Sequence, residues 1–112
     1  MTPTWTTRSV LIAVKDVLKN NEPRMVDVPA DIYGALAVHP TSTLEGWSPS
    51  EWTVTHVPTG QSVYRFFKTR EQAKRCAEAF SECGDWGAAT TPEATMKFAP
   101  AVIDILEEQL AT

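Results

Sequence analysis

WTVTHVPTGQSVYRFFKTREQAKRCAEAFSECG, residues 52–84, reads without a gap as strand, turn, strand, helix cap, amphipathic helix and stop. Trp52, Val54 and His56 alternate with Thr53, Thr55 and Val57, the period-two pattern of a pleated strand. Pro58-Thr59-Gly60-Gln61 supplies a reversal whose glycine accepts positive φ, and Ser62 to Phe67 resumes the extended pattern. Thr69-Arg70-Glu71-Gln72 fits a capping box, in which Thr holds an orphan backbone N–H and Gln reaches back. Ala73, Cys76, Ala77 and Phe80 then share one helical face, and Gly84 follows as the expected left-handed stop. The stretch specifies an architecture and no reaction.

Upstream, Ser9 to Leu18 fits two periods: Val10, Val14 and Val17 make a helical face, while Val10, Ile12 and Val14 make a strand. Its β-branched content and the Asn20-Asn21-Glu22-Pro23 turn favour a strand that returns as a hairpin through Met25 to Val28. Pro29, with no N–H for a ladder, then ends the second strand or places it at an edge. A turn at Asp31 to Gly34 leads into a third short strand, Gly34 to His39. Residues 40–50 hold Pro40, Gly46, Pro49 and five Ser or Thr residues, so they read as the longest loop, with Trp47 near its tip.

Downstream, Asp85-Trp86-Gly87 forms a bend that folds Trp86 over the end of the preceding helix. Thr91 and Pro92 supply an N-cap and a first helical position. Ala99, Val102, Ile103, Leu106 and Leu110 form a core stripe, and Pro100 interrupts it. An interior proline costs about 3 kcal/mol, which favours two pieces over one kinked helix.

The expected fold is therefore α+β: an antiparallel sheet of four to five strands with two C-terminal helices packed on one face. The expected elements are a hairpin over 9–28, a strand over 34–39, a loop over 40–50, a hairpin over 52–67, and helices over 70–83 and 98–110. Expected core residues on the sheet are Val10, Ile12, Val14, Val26, Val28, Leu36, Val38, Val54 and Phe66. The helices add Ala73, Cys76, Ala77, Phe80, Ile103, Leu106 and Leu110.

With 112 residues the chain suits one domain, and 43% apolar with 21% charged residues is ordinary for a globular protein. The longest apolar run, Val10 to Val14, is far short of the roughly 18 residues of a membrane span. Met1 to Ser9 does not resemble a secretory signal, so a cytoplasmic location without membrane contact is expected. Cys76 and Cys83 sit two turns apart on one helix, roughly 10.5 Å, beyond disulfide reach.

A net charge of -4 disfavours non-specific attraction to phosphate. Its distribution is uneven. Between Gln61 and Phe80, Arg65, Lys68, Arg70, Lys74 and Arg75 face only Glu71 and Glu78, a local +3 that leaves the remainder at -7.

His39, His56, Cys76 and Cys83 offer zinc-type donors, but neither pair has the close spacing zinc sites use, so no metal and no cofactor is expected. There is no G-x-S-x-G, H-E-x-x-H or P-loop, and Cys76 belongs to the buried stripe, so the chain reads as no enzyme. Tyr64, Arg65, Phe66, Phe67, Lys68 and Arg70 interleave rings and cations as single-strand nucleic-acid binders do. Trp5, Trp47 and Trp86 fall in expected loops or termini, where a ring is either tucked under the chain or offered to a partner.

The string W-T-V-T-H-x-P-T-G at 52–60, followed by the Thr69-Arg70 helix start and Asp85-Trp86, resembles small uncharacterised proteins of actinobacterial phages and their hosts. Val28-Pro29-Ala30 and Gly34 to His39 look similar to the same group, so the resemblance covers roughly residues 25–86. It carries no activity and transfers no site residue. It implies a phage or prophage origin, in which small acidic proteins bind a bacterial host protein for host modulation or counter-defence. On this reading Trp47, Arg65, Lys68, Arg70, Lys74 and Arg75 are the candidate partner-binding residues. Single-stranded nucleic acid is the alternative partner. Monomer and homodimer both stay open, since an edge near Pro29 or the last hairpin suits pairing with a second copy.

Overall fold

Period-two patterning persists through five consecutive segments, and each becomes a strand in the computed structural model, which describes residues 4–16, 20, 22–43 and 46–110. The strands are β1 (Thr6–Asp16), β2 (Glu22–Tyr33), β3 (Leu36–Thr43), β4 (Gly46–His56) and β5 (Gln61–Phe67). They form one antiparallel sheet in the order β1-β2-β3-β4-β5. Three helices follow: α1 (Arg70–Ser81), a short α2 (Pro92–Met96) and α3 (Ala99–Leu110). The expected α+β architecture is present, with α1 and α3 packed against the sheet. Among the described residues no helix is long and apolar enough to cross a membrane.

The ambiguous N-terminal segment is a strand over its described part; Val17, Leu18 and Asn21 lie outside the described residues. Val10 pairs with Val28 and Ile12 with Val26. The second strand does not end at Pro29 but runs on to Tyr33. The reason is local: β3 pairs with β2 only from Asp31 onward, so at Pro29 one side of β2 is an edge where a missing N–H costs nothing. The turn expected at Asp31 to Gly34 shrinks to Gly34-Ala35 between the paired Tyr33 and Leu36. Gly34 has φ +61 with open space around its Cβ position, so conformation and not crowding requires glycine there.

Of the expected loop over 40–50, Leu44 and Glu45 lie outside the described residues, and residues 40–43 and 46–50 instead continue the β3–β4 hairpin, with Thr43 opposite Gly46 and Ser42 opposite Trp47. Its Thr residues are β-branched and suit a pleat. Pro40 is accommodated beside a register shift between Pro40 and Ser42.

Two apolar clusters flank the sheet. On one face Leu36, Val38, Val54 and Phe67 meet Ala73, Cys76, Ala77 and Phe80 of α1. On the other, Val10, Ile12, Val28, Ala30, Ile32 and Ala37 cluster together, none more than 5% exposed. Among the described residues no helix covers this second face. The sheet buries it by coiling, so that Ile12 of β1 borders the same small cavity as Ser62 and Arg65 of β5.

Two expected core residues are exposed. Phe66 is 56% exposed and Phe67 takes its place, because β5 spends four residues (Tyr64 to Phe67) on three of β4 (Trp52 to Val54). The extra residue of that bulge brings Phe67 to the buried face beside Tyr64. Ile103 is 53% exposed, while Val102 is the buried residue of α3. Val26 is half-buried, and the side chain of Val14 lies outside the described residues.

At the N-terminus of α1 Thr69 Oγ1 accepts from the Gln72 N–H at 3.1 Å, and Gln72 Oε1 accepts from the Lys68 N–H at 3.1 Å, one residue earlier than the expected box. Helix α2 begins as expected, with Thr91 Oγ1 accepting from the Ala94 N–H and Pro92 first in the helix. Pro100 falls in the first turn of α3, where it is harmless.

Gly84 corrects its sequence reading. Only Gly34 and Gly60 among the described glycines have positive φ, and α1 is capped by Glu82 in a right-handed conformation. A Cβ at Gly84 would instead overlap the Phe98 ring. Gly84→Ala is expected to cost about 1–3 kcal/mol by overpacking. In a Phe98→Leu background the penalty should shrink, as read from urea midpoints in a double-mutant cycle; an equal penalty in both backgrounds would rule out the steric cause.

Candidate functional site

The helical layer does not close over the start of β5. Between β5 and the α2–α3 unit lies an open cleft of about 270 Å³. Its sheet wall is His56, Gln61, Ser62 and Val63, and its helix wall includes Met96, Ala99, Ile103 and Leu106. Trp86 and Val102 line it as well. The lining is mainly apolar, and Met96 (70% exposed) and Ile103 stand at its rim. Sequence reasoning assigned Ile103 to the core and gave Met96 no role. The available signal was their position beside, and not within, the buried stripe centred on Val102.

His56 fixes the shape of this cleft. Its imidazole is 1% exposed and bonded at both nitrogens. Nε2 lies 2.6 Å from the Trp86 carbonyl oxygen, which can only accept, so Nε2 carries the proton. Nδ1 in the neutral ring then accepts from the Thr59 hydroxyl at 2.8 Å. Trp86 is also buried, tucked under the chain and not offered to a partner. Its Nε1–H donates to the Phe80 carbonyl at 2.7 Å, which folds it back over the end of α1 as expected. Its ring centre is 4.5 Å from that of Phe98. The imidazole in the cleft lining is thus committed to holding the loop after α1.

The candidate residues of the basic segment do not form a single free patch. Arg70 is paired with the buried Asp31, its Nε–H donating to Oδ2 at 2.6 Å, while Thr7 donates to the other oxygen at 3.0 Å. Its guanidinium also lies 6.0 Å from the centre of the Trp52 ring. Lys74 sits 4.5 Å over Trp5, whose indole N–H donates to Glu78 and whose ring lies against Tyr33. Two of the five cations therefore clasp the N-terminal strand and β2 onto α1. Lys68 and Arg75 are exposed. Arg65 is on β5, where its carbonyl oxygen accepts from Thr41 Oγ1 at 2.9 Å. Trp47 is on β4, and its side chain lies outside the described residues.

A second, small cavity of about 30 Å³ opens inside the coiled sheet beside His39, Thr53 and Thr55. Thr41 spends its one hydroxyl proton on the Arg65 carbonyl, so at the 2.7 Å Thr41–Thr53 contact Thr53 donates. His39 Nδ1 faces the Pro40 carbonyl at 2.7 Å and donates to it; Nε2 therefore accepts from the Thr55 hydroxyl at 2.7 Å. Burial pulls the His39 pKa below its ordinary value. Burial also pushes the Cys76 thiol up to about 11 and raises that of Cys83, and both cysteines are unpaired as thiols. Among the described residues no three His, Cys, Asp or Glu side chains are grouped to hold a metal ion.

No protein-family model, curated protein or solved structure matches the chain.

His39 makes stability depend on pH with a definite sign. Its folded-state pKa is below the unfolded value near 6.5, so as pH falls the unfolded chain takes up the proton first. The stabilisation is complete above about pH 6.5 and is lost as pH falls from there through the lower folded value. Urea midpoints should drop between pH 7.5 and 5.5, and His39→Gln should reduce that drop. An identical pH profile in the variant would contradict this account.

Proposed function

We propose that the protein is a non-enzymatic binding module that takes a segment of another protein into the cleft between β5 and α3. The observation that carries this reading is a mainly apolar cleft with two of the molecule's exposed large apolar side chains, Met96 and Ile103, at its rim. Its volume lies below the about 300–1,000 Å³ of ordinary small-molecule pockets and suits one or two large side chains. Its sole titratable group is bonded at both nitrogens, which leaves no poised acid or base in it. The phage resemblance of residues 25–86 points to a bacterial host protein in the cytoplasm as the partner.

The nucleic-acid alternative draws less support. It needs cations free to track phosphates, whereas Arg70 and Lys74 are engaged with Asp31 and Trp5.

Affinity capture from a bacterial lysate should recover a host protein with the wild-type chain. Ile103→Lys should lose it, and Lys68→Glu/Arg75→Glu should keep it. All three positions are exposed, so thermal midpoints should hold. The opposite pattern, with oligonucleotide binding that is steeply salt-dependent and lost in Lys68→Glu/Arg75→Glu, would replace this reading by the nucleic-acid one.

A further inference from the structure

We infer that the β5 edge joins two copies of this chain about a two-fold axis, the Phe66 ring of each copy seated in the cleft of the other. β5 is the last strand in the sheet order, so its outer side has no strand partner among the described residues. Phe66 is the exposed aromatic of that strand and packs edge-on against Tyr64 at 5.7 Å, which places it on the side of the sheet where the cleft opens. The sheet wall of the cleft starts on the same strand, at Gln61, Ser62 and Val63. Knob and hole are thus a few residues apart on one strand, roughly 10–15 Å. Setting two such strands side by side in opposite directions brings each knob beside the other copy's hole. A two-fold interface demands this property, that one patch complement itself.

Charge acts in the same sense. The segment from Gln61 to Phe80 is net basic, whereas residues 92–110 carry Glu93, Asp104, Glu107 and Glu108 against Lys97 alone. In the two-fold arrangement Lys68, just past Phe66, comes against the acidic α3 of the other copy. The bulge at the end of β5 and the flanking cations limit backbone pairing along this edge, so exchange of the two Phe66 rings, more than a long ladder, supplies the affinity. Because the dimer covers the cleft, a second copy and a host segment compete for it.

The inference does not need the host partner to exist, and one set of variants separates the two. Sedimentation equilibrium from about 1 μM to about 1 mM should show a reversible monomer–dimer equilibrium that weakens with salt. Phe66→Asp and Ile103→Lys should each raise the dimer dissociation constant at least about thirty-fold, the scale of an interface hot spot, with the thermal midpoint unchanged. Phe66→Ala serves if the aspartate lowers that midpoint. Lys68→Glu should weaken the dimer, and adding Glu107→Lys to the same chain should restore it. A wild-type chain still monomeric at about 1 mM, or a dimer indifferent to both Phe66→Asp and Ile103→Lys, overturns the proposal. Host capture, by contrast, should survive Phe66→Asp and fail only with Ile103→Lys.

Discussion

A single buried imidazole determines where the helical layer can sit. His56 ends β4, donates to the Trp86 carbonyl and accepts from Thr59 in the turn that starts β5. One side chain thereby ties the last hairpin to the loop beyond α1. Trp86 passes the constraint on: its indole N–H holds the Phe80 carbonyl at the end of α1, and its ring packs on Phe98 at the entry to α3. Phe98 in turn fits only because Gly84 has no Cβ. Leaving a buried carbonyl such as that of Trp86 without its donor costs about 1–3 kcal/mol, a large share of the stability of a domain this size. The cleft is bounded by the parts this chain of contacts fixes, so its shape follows from His56.

The other half of the molecule solves a different problem. A five-stranded sheet with helices on one face leaves the second face in water, and here that face carries Val10, Ile12, Val28, Ala30 and Ile32. Coiling brings β1 toward β5 and encloses them, but the same closure traps Thr53, Thr55 and His39. Pairing is the only inexpensive way to bury such groups. Each hydroxyl proton has one assigned acceptor, and no buried side-chain polar atom among the described residues lacks a partner. The polar interior is tolerated because it is complete, and neutral His39 is the condition for its completeness.

Local rules read the sequence well where a short-range interaction decides the conformation. The Thr69 and Thr91 caps, the Gly60 turn and the buried face of α1 need only neighbours within a few residues. The failures share a long-range cause. Phe67 is buried in place of Phe66 because of a bulge in the pairing with β4, which no pattern within β5 reveals. Residues 40–50 read as a loop from their Ser, Thr and Pro content, yet pairing makes 40–43 and 46–50 strands of one hairpin. Gly84 looked like a backbone requirement and proved to be a space requirement set fourteen residues away by Phe98. The cleft was illegible for the same reason, since its walls come from β4, β5, α2 and α3.

Charge placement was visible in the sequence, but its use was not. The basic run at 65–75 looked like one surface. The fold divides it, engaging Arg70 with Asp31 of β2 and Lys74 with the Trp5 ring while Lys68 and Arg75 stay exposed. An exposed pair between a long cation and a carboxylate contributes little, about 0–1 kcal/mol. Asp31, however, is 6% exposed and accepts from both Thr7 and Arg70, so its carboxylate is held at both oxygens. A buried carboxylate stripped of its cation would be far costlier than the pair is favourable. Arg70 is therefore bound to the fold by Asp31, whereas Lys68 and Arg75 extend into solvent.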